Sequence, residues 1–377
     1  MFPARCFLFF GLWLTLLGCM QDKDDDTPIK SLEKNTPGFT LREIKHGFLL
    51  DVYNPWQGAQ NVNYRYLLLK KEAKVPAKYQ DLQVIQIPVE KVVVMSTTHI
   101  GMIDKLGKIS SIKGISGRNL MSNPAIIRGL ENETISDVGY DQGVDVEKLL
   151  DLNPDVIFTY GVSNEGGAWV RKLKDAGINV VFNADYLENT PLGMASWLRF
   201  FAAFYNDFAL ADSILIQTEA AYNSLAGIVD TITNRPKILT GLPWKGTWYM
   251  PAGGSYMVNF INDAGGFYPL SEQPGQENIP MDIEAVYGIF HDADIWINTG
   301  SASGTAEIAG EDARLGKINA FNEGDVFNNT GKISAYGGNE YWESGPVNPD
   351  IILKDLIHIF HPEIFPAHQL VYYKHLN

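Results

Sequence analysis

The sequence predicts an α/β protein of two similar lobes, each a mainly parallel sheet flanked by helices, joined by a long backbone helix. Three observations carry this expectation. Residues 144–161, VDVEKLLDLNPDVIFTYG, and residues 281–300, MDIEAVYGIFHDADIWINTG, repeat one unit. Each copy opens on Asp-x-Glu, continues with apolar residues at helical spacing, turns at Asn153-Pro154 or His291-Asp292, and enters a short apolar strand. The strands, Val156-Ile157-Phe158 and Ile295-Trp296-Ile297, are almost continuously apolar, as in parallel sheets covered on both faces. Residues 191–232 form one apolar-periodic run without an internal proline. As a single helix it would span about 60 Å and brace both lobes, a break near Asn206-Asp207 being the alternative. A chain of 377 residues exceeds what one core usually fills.

From the N-terminus, residues 1–18 read as a signal peptide: Arg5, then an apolar run from Cys6 to Leu17 too short for a comfortable membrane span. It ends Leu16-Leu17-Gly18-Cys19, the pattern of a lipobox, which makes Cys19 the expected lipidation site. Several acyl chains on one residue suffice for stable anchoring. The folded body then has no cysteine, which excludes a disulfide framework. Residues 19–36 are polar, acidic and punctuated by Pro and Gly, the composition of a flexible tether. A net charge of −14 without a Lys/Arg run argues against nucleic acid as a partner.

The N-terminal lobe is expected over residues 37–190. Its first part, 37–90, contains FTLREI, GFLLDVYNP, NYRYLLLKK and LQVIQIPV, which suggest an antiparallel decoration. The parallel part opens with a strand at Val92 to Met95 and a Ser96-Thr97-Thr98 cluster suited to capping the next helix. Ligands in open α/β sheets bind at strand carboxyl ends, so Thr98 and His99 are candidate contacts. The first copy of the repeat, the amphipathic AWVRKLKDAG and the strand INVVFNA complete the lobe, and residues 233–377 make the second.

The lipobox, the opening VVVMSTTHIGMIDKLG, the phrase VEKLLDLNPDVIF followed by LKDAGINVVF, the long central run and the second glutamate unit together resemble class III substrate-binding proteins of ABC importers. These are the helical-backbone receptors for ferric siderophores, haem and cobalamin. The resemblance spans roughly residues 91–373. It implies a non-enzymatic lipoprotein in the periplasm, or at the cell surface, with no cofactor of its own. Its ligand would be an iron chelate or corrinoid, held between the lobes and passed to a permease dimer in the inner membrane. The resemblance also assigns permease docking to Glu147 and Glu284, one per repeat, which gives a two-fold partner two similar acidic knobs. Read from the residues alone, both are acids complementing a helix dipole.

Aromatic side chains in loops make walls for bulky organic ligands, and Trp244, Trp248 and Tyr249 crowd the loop that follows the strand PKILTGL. Tyr160, Trp169, Thr299, Tyr336 and Trp342 occupy comparable positions, and packing is the alternative for Trp342. Lys245, Arg118, Arg128 and Arg314 could pair with an anionic chelate or simply be solvated. A bare zinc or manganese receptor is a second reading, resting on His99 or on the cluster His358, His361 and Glu363. A secreted hydrolase with dispersed catalytic residues is a third. The sequence lacks Gly-x-Ser-x-Gly with serine in place, a Walker A loop, His-Glu-x-x-His and Gly-x-Gly-x-x-Gly.

Overall fold

The computed structural model describes residues 30–31, 38–140, 143–161 and 167–377. The expected signal peptide, Cys19 and most of the expected tether lie outside the described residues. Strands β1 (Lys30–Ser31), β2 (Phe39–Ile44), β3 (Gly47–Tyr53), β4 (Asn63–Lys70) and β5 (Gln83–Ile87) form one sheet in chain order. The first four are antiparallel, while β5 runs parallel to β4. This differs from the expected purely antiparallel decoration, because the connection 71–82 crosses the sheet and buries Tyr79 on its face instead of turning back as a hairpin. The tether also contributes β1, paired on the edge of β2.

The N-terminal lobe alternates β6 (Val92–Val94), α1 (Thr97–Lys105), β7 (Ile112–Ile115), α2 (Pro124–Glu131), β8 (Ser136–Asp137), α3 (Val146–Leu152), β9 (Val156–Tyr160), α4 (Gly167–Asp175) and β10 (Val180–Asn183). Its sheet is wholly parallel, in the order β10-β9-β6-β7-β8. The inner face of the first sheet shares one core with it: Phe39, Leu50, Tyr66 and Leu68 join Val92, Val94 and Phe158. Tyr66 also accepts a hydrogen bond from Phe182 N at 3.2 Å, satisfying an edge-strand amide of β10. The first sheet is therefore a third layer of the lobe.

The expected single connecting helix is divided into α5 (Pro191–Ser196), α6 (Leu198–Phe204) and α7 (Phe208–Val229). The break falls where Asn206 adopts the left-handed conformation, φ 51°. Every residue of α6 is buried, because Leu198 to Phe204 is apolar on nearly every face and is enclosed by the two sheets. The helices on either side of it, α5 and α7, bridge. In α7, Ala211 and Leu215 belong to the N-terminal core, and Tyr222 and Val229 to the C-terminal one.

The C-terminal lobe contains β11 (Ile238–Thr240), the ribbon strand β12 (Thr247–Pro251), α8 (Tyr256–Asp263), the second ribbon strand β13 (Asn278–Asp282), α9 (Ile283–Phe290) and β14 (Ile295–Ile297). After these come α10 (Thr305–Glu311), α11 (Asn319–Glu323), β15 (Val326–Asn328), α12 (Glu340–Glu343), α13 (Pro349–Phe360) and β16 (Lys374–His375). The sheet order is β11-β14-β15-β16, parallel except for β16. The tail is fixed by Asp355 of α13, which is fully buried. Its carboxylate accepts from the backbone N–H of Val371, Tyr372 and Tyr373 and contacts His368 Nε2 at 2.7 Å.

The lobes meet along α1 and α12. A Cβ on Gly101 would lie 1.9 Å from Glu343 O, so only glycine allows this approach. Lys105 Nζ donates to Asn348 Oδ1 at 2.6 Å, and Ser334 Oγ donates to Met121 O at 2.7 Å across the same seam.

Candidate functional site

The two repeats are physically equivalent. Asp145 caps α3 by accepting from Lys148 N at 3.0 Å, and Asp282 caps α9 by accepting from Ala285 N at 2.7 Å. Asp155 and Asp294, each just before its strand, donate their backbone N–H to Lys91 O and Lys237 O, both at 2.9 Å. Their carboxylates accept from Lys91 N and Lys237 N in return. Each helix must deliver the chain to the amino edge of its sheet, so its first turn lies toward the carboxyl edge. Glu147 and Glu284 stand exposed on those first turns. Glu284 is engaged by Arg314, which Asp312 holds through bonds of 2.8 and 2.6 Å. Arg314 is thus committed within the protein and is not a free cleft cation.

The carboxyl ends of β7 and β8 open into a cavity of about 520 Å³ lined by Arg118, Leu120, Asp137 and Tyr140. Asp137 organises it, accepting from the backbone N–H of Gly117 at 3.3 Å, Arg118 at 3.1 Å and Gly139 at 3.0 Å. Gly117 and Gly139 have φ values of 80° and 84°, which this tight wrapping requires. The loop bearing Tyr336 crosses from the other lobe, and its hydroxyl reaches Glu131 Oε1 at 3.0 Å. Of these residues only Arg118 and Tyr336 were legible as candidates. β7 and β8 are too short to announce themselves, so Leu120, Asp137 and Tyr140 were missed.

Other predicted residues separate into exposed and enclosed sets. Thr98 is half-buried, its hydroxyl 3.0 Å from Ser96 Oγ, at the first turn of α1. Trp342, 50% exposed, lies over that turn because Thr97 Oγ1 donates to its carbonyl at 3.4 Å. Tyr160 closes β9 with its ring edge-on to Tyr186. Trp244, 62% exposed, follows β11 with Lys245 Nζ 4.4 Å above its ring, and Tyr249 projects from the outer face of the β12–β13 ribbon.

Three expected contacts are corrected. His99 is fully buried beside Phe201 and Phe158, and burial pushes its ring down to about 3, so it stays neutral in the core. Trp248 is 1% exposed, its ring 5.7 Å from that of Trp296 and its indole N–H donating to Thr240 O. Thr299 is fully buried. Trp169 packs half-buried from α4 onto the sheet. Helical and strand periodicity places His99, Trp248 and Thr299 next to the site, but the register turns their side chains inward, whereas Trp169 stays half-buried like Tyr160.

Burial dominates the acids at the seam. Glu343, 3% exposed, is pushed up to about 7, with Glu340 and Asp104 adding to the shift and Ser122 N–H opposing it. Asp185, at the end of β10, is pushed up to about 6 by burial against the pull of the Thr98 hydroxyl. A raised carboxyl stabilises the fold below its ordinary value of 4.5 and loses that contribution as pH rises through about 7. Glu343→Gln is expected to gain about 2–3 kcal/mol relative to the parent near pH 8 and nothing near pH 4. Melting temperatures measured across that range check this, and parallel curves would refute it.

Among the described residues no cluster of three or more His, Cys, Asp or Glu side chains is arranged to hold a metal ion. His361 contacts Gly265 O at 3.2 Å and His368 contacts Asp355, so these C-terminal histidines secure the tail and its neighbours. No described helix is long and apolar enough to cross a membrane.

The chain is 27% identical over 349 residues to an uncharacterized lipoprotein of Methanocaldococcus jannaschii, covering 87% of this chain and 81% of that one. The fold is shared with a possible iron-binding periplasmic solute-binding protein of Staphylococcus epidermidis (TM-score 0.58, 16% identity, 73% of this chain and 99% of that one). It is shared also with a periplasmic heme-binding protein of Pseudomonas aeruginosa (TM-score 0.56, 15% identity, 77% and 98%). With residues 92–332 matching the family model, this chain belongs to the periplasmic binding protein family.

Proposed function

We propose that this protein is an extracytoplasmic, membrane-anchored receptor that captures an iron complex, ferric siderophore or haem, or a corrinoid such as cobalamin, between its lobes and delivers it to an ABC permease. The observation that carries the reading is the meeting of two kinds of feature at the strand carboxyl ends. The approximately 520 Å³ cavity and the exposed rings of Tyr140, Trp342 and Trp244 offer apolar walls for a bulky ligand. The twin capped helices present Glu147 and Glu284 toward the same edges, as a two-fold partner requires. The iron-binding and heme-binding descriptions of proteins with this fold support the ligand class. The lipoprotein description of the relative supports acylation at Cys19.

Incubating the purified chain with ferric siderophores, haem and cobalamin separately, then desalting and recording the visible spectrum, tests the proposal. One chromophore retained near one equivalent is the expected result. Retention of none would overturn it. The direct lobe contacts at Gly101 and Glu343, together with α7 embedded in both cores, favour small lobe movement on binding.

A further inference from the structure

The family match begins at Val92, so the first sheet lies outside it. One part of that sheet nevertheless reaches the ligand-facing edge of the lobe. The β3–β4 loop, residues 54–62, is closed at its base by one backbone bond and one side-chain bond: Asn54 N donates to Val62 O at 2.8 Å, and Val62 N donates to Asn54 Oδ1 at 3.1 Å. A turn within it joins Ala59 N to Trp56 O at 3.0 Å. Trp56 anchors the loop, its ring 6.1 Å from Phe182 of β10 and 6.3 Å from Tyr64.

Gln57 N then donates to Tyr186 Oη at 3.3 Å, and Tyr186 Oη donates to Gly161 O at 2.5 Å. Gly161 directly follows β9, and Tyr186 lies just past β10, so this chain of bonds seats the loop on the carboxyl edge of the parallel sheet. Tyr186 is 40% exposed beside Tyr160, and Gln57, Gln60 and Asn61 of the loop are exposed. No residue from 54 to 62 is charged, although the chain carries −14.

We propose that loop 54–62 is an added wall of the binding cleft, whose Gln57 and Gln60 carboxamides hydrogen-bond neutral polar groups, amides or hydroxyls, on the periphery of a bulky ligand. This rests on the receptor reading above. A carboxamide both donates and accepts without charge, which suits such groups and discriminates little by ligand charge. The closed, anchored loop holds these groups in place before binding, so little ordering entropy is lost. The wall selects ligands by size and periphery: a chelate too small to reach the rim gains nothing from it.

The test uses the full-length protein and the fluorescence-determined Kd for a ferric trihydroxamate, haem and cobalamin. For the probe that the parent binds, Gln57→Ala with Gln60→Ala is expected to raise Kd about 5- to 30-fold, the loss of one or two hydrogen bonds. Gln80→Ala, an exposed glutamine on the 71–82 connection, is expected to leave it unchanged. Melting temperatures report folding, and Gln60→Ala alone, which disturbs no backbone bond of the loop, provides a second reading with a smaller increase in Kd. An unchanged Kd in both loop variants overturns the inference and leaves the receptor standing. A parent protein that binds none of the probes overturns the receptor reading, and the inference falls with it.

Discussion

Replacing Glu147 and Glu284 together with alanine is expected to reduce ligand uptake by cells about 100-fold while leaving the Kd of the isolated protein unchanged. Both carboxylates are exposed on the first turns of capped helices, and neither lines the cavity at Arg118 and Tyr140. On the proposed docking, their loss removes a charged contact with the permease and leaves the lining of that cavity intact. Charge-assisted contacts of this kind contribute about 1.5–3 kcal/mol each, which sets the expected scale. On the proposed docking, Glu284 would exchange its Arg314 partner for a cation of the permease, so Glu147→Ala alone is expected to cost more than Glu284→Ala alone. Uptake assays paired with equilibrium binding separate the outcomes. A weakened Kd would place the carboxylates in the ligand site, and undiminished uptake would place docking elsewhere.

Asp355→Ala is expected to be the most destabilising single substitution considered, costing about 3–6 kcal/mol. The fully buried carboxylate serves three consecutive backbone amides, Val371 to Tyr373, and His368. Alanine would strand those donors in the core, where each unsatisfied group costs about 1–3 kcal/mol. Tyr372, Tyr373 and Leu376 would lose their seats in the C-terminal core, and β16 its place on the sheet. Asp355→Asn keeps one acceptor oxygen and is expected to lose roughly half as much. Denaturant unfolding measures both, and a loss below about 1 kcal/mol for alanine would refute this account of the tail.

Glu343 shows how the two lobes depend on one another. It belongs to α12, yet its carboxylate accepts from Ser122 N in the N-terminal lobe at 2.9 Å. Nothing in the sequence near Trp342 signals that contact, because residues 122 and 343 are brought together only when both lobes have folded. The cavity at Arg118 was hidden for a related reason. β8 has only two residues, so periodicity had nothing to register, and the wrapping of Asp137 by Gly117, Arg118 and Gly139 is set by loop geometry.

The connecting helix illustrates the limit of periodicity. Residues 191–232 carry helical spacing throughout, but spacing does not report how many faces are covered. Once two sheets enclose α6, Asn206 turns the chain, and α5 and α7 on either side of it are left to bridge.

The sequence by itself determined the repeated helix–strand unit, its Asp caps and the positions of Glu147 and Glu284, because capping and strand entry are local and repeat wherever Asp-x-Glu precedes an apolar run. It likewise determined the α/β class, through strands apolar enough to require cover on both faces. Tertiary structure alone decided which strand-end residues stay open to solvent. His99, Trp248 and Thr299 were separated from Thr98, Trp244 and Trp342 by burial, since neighbouring residues on a helix turn or strand point to different faces and only packing determines which face is enclosed.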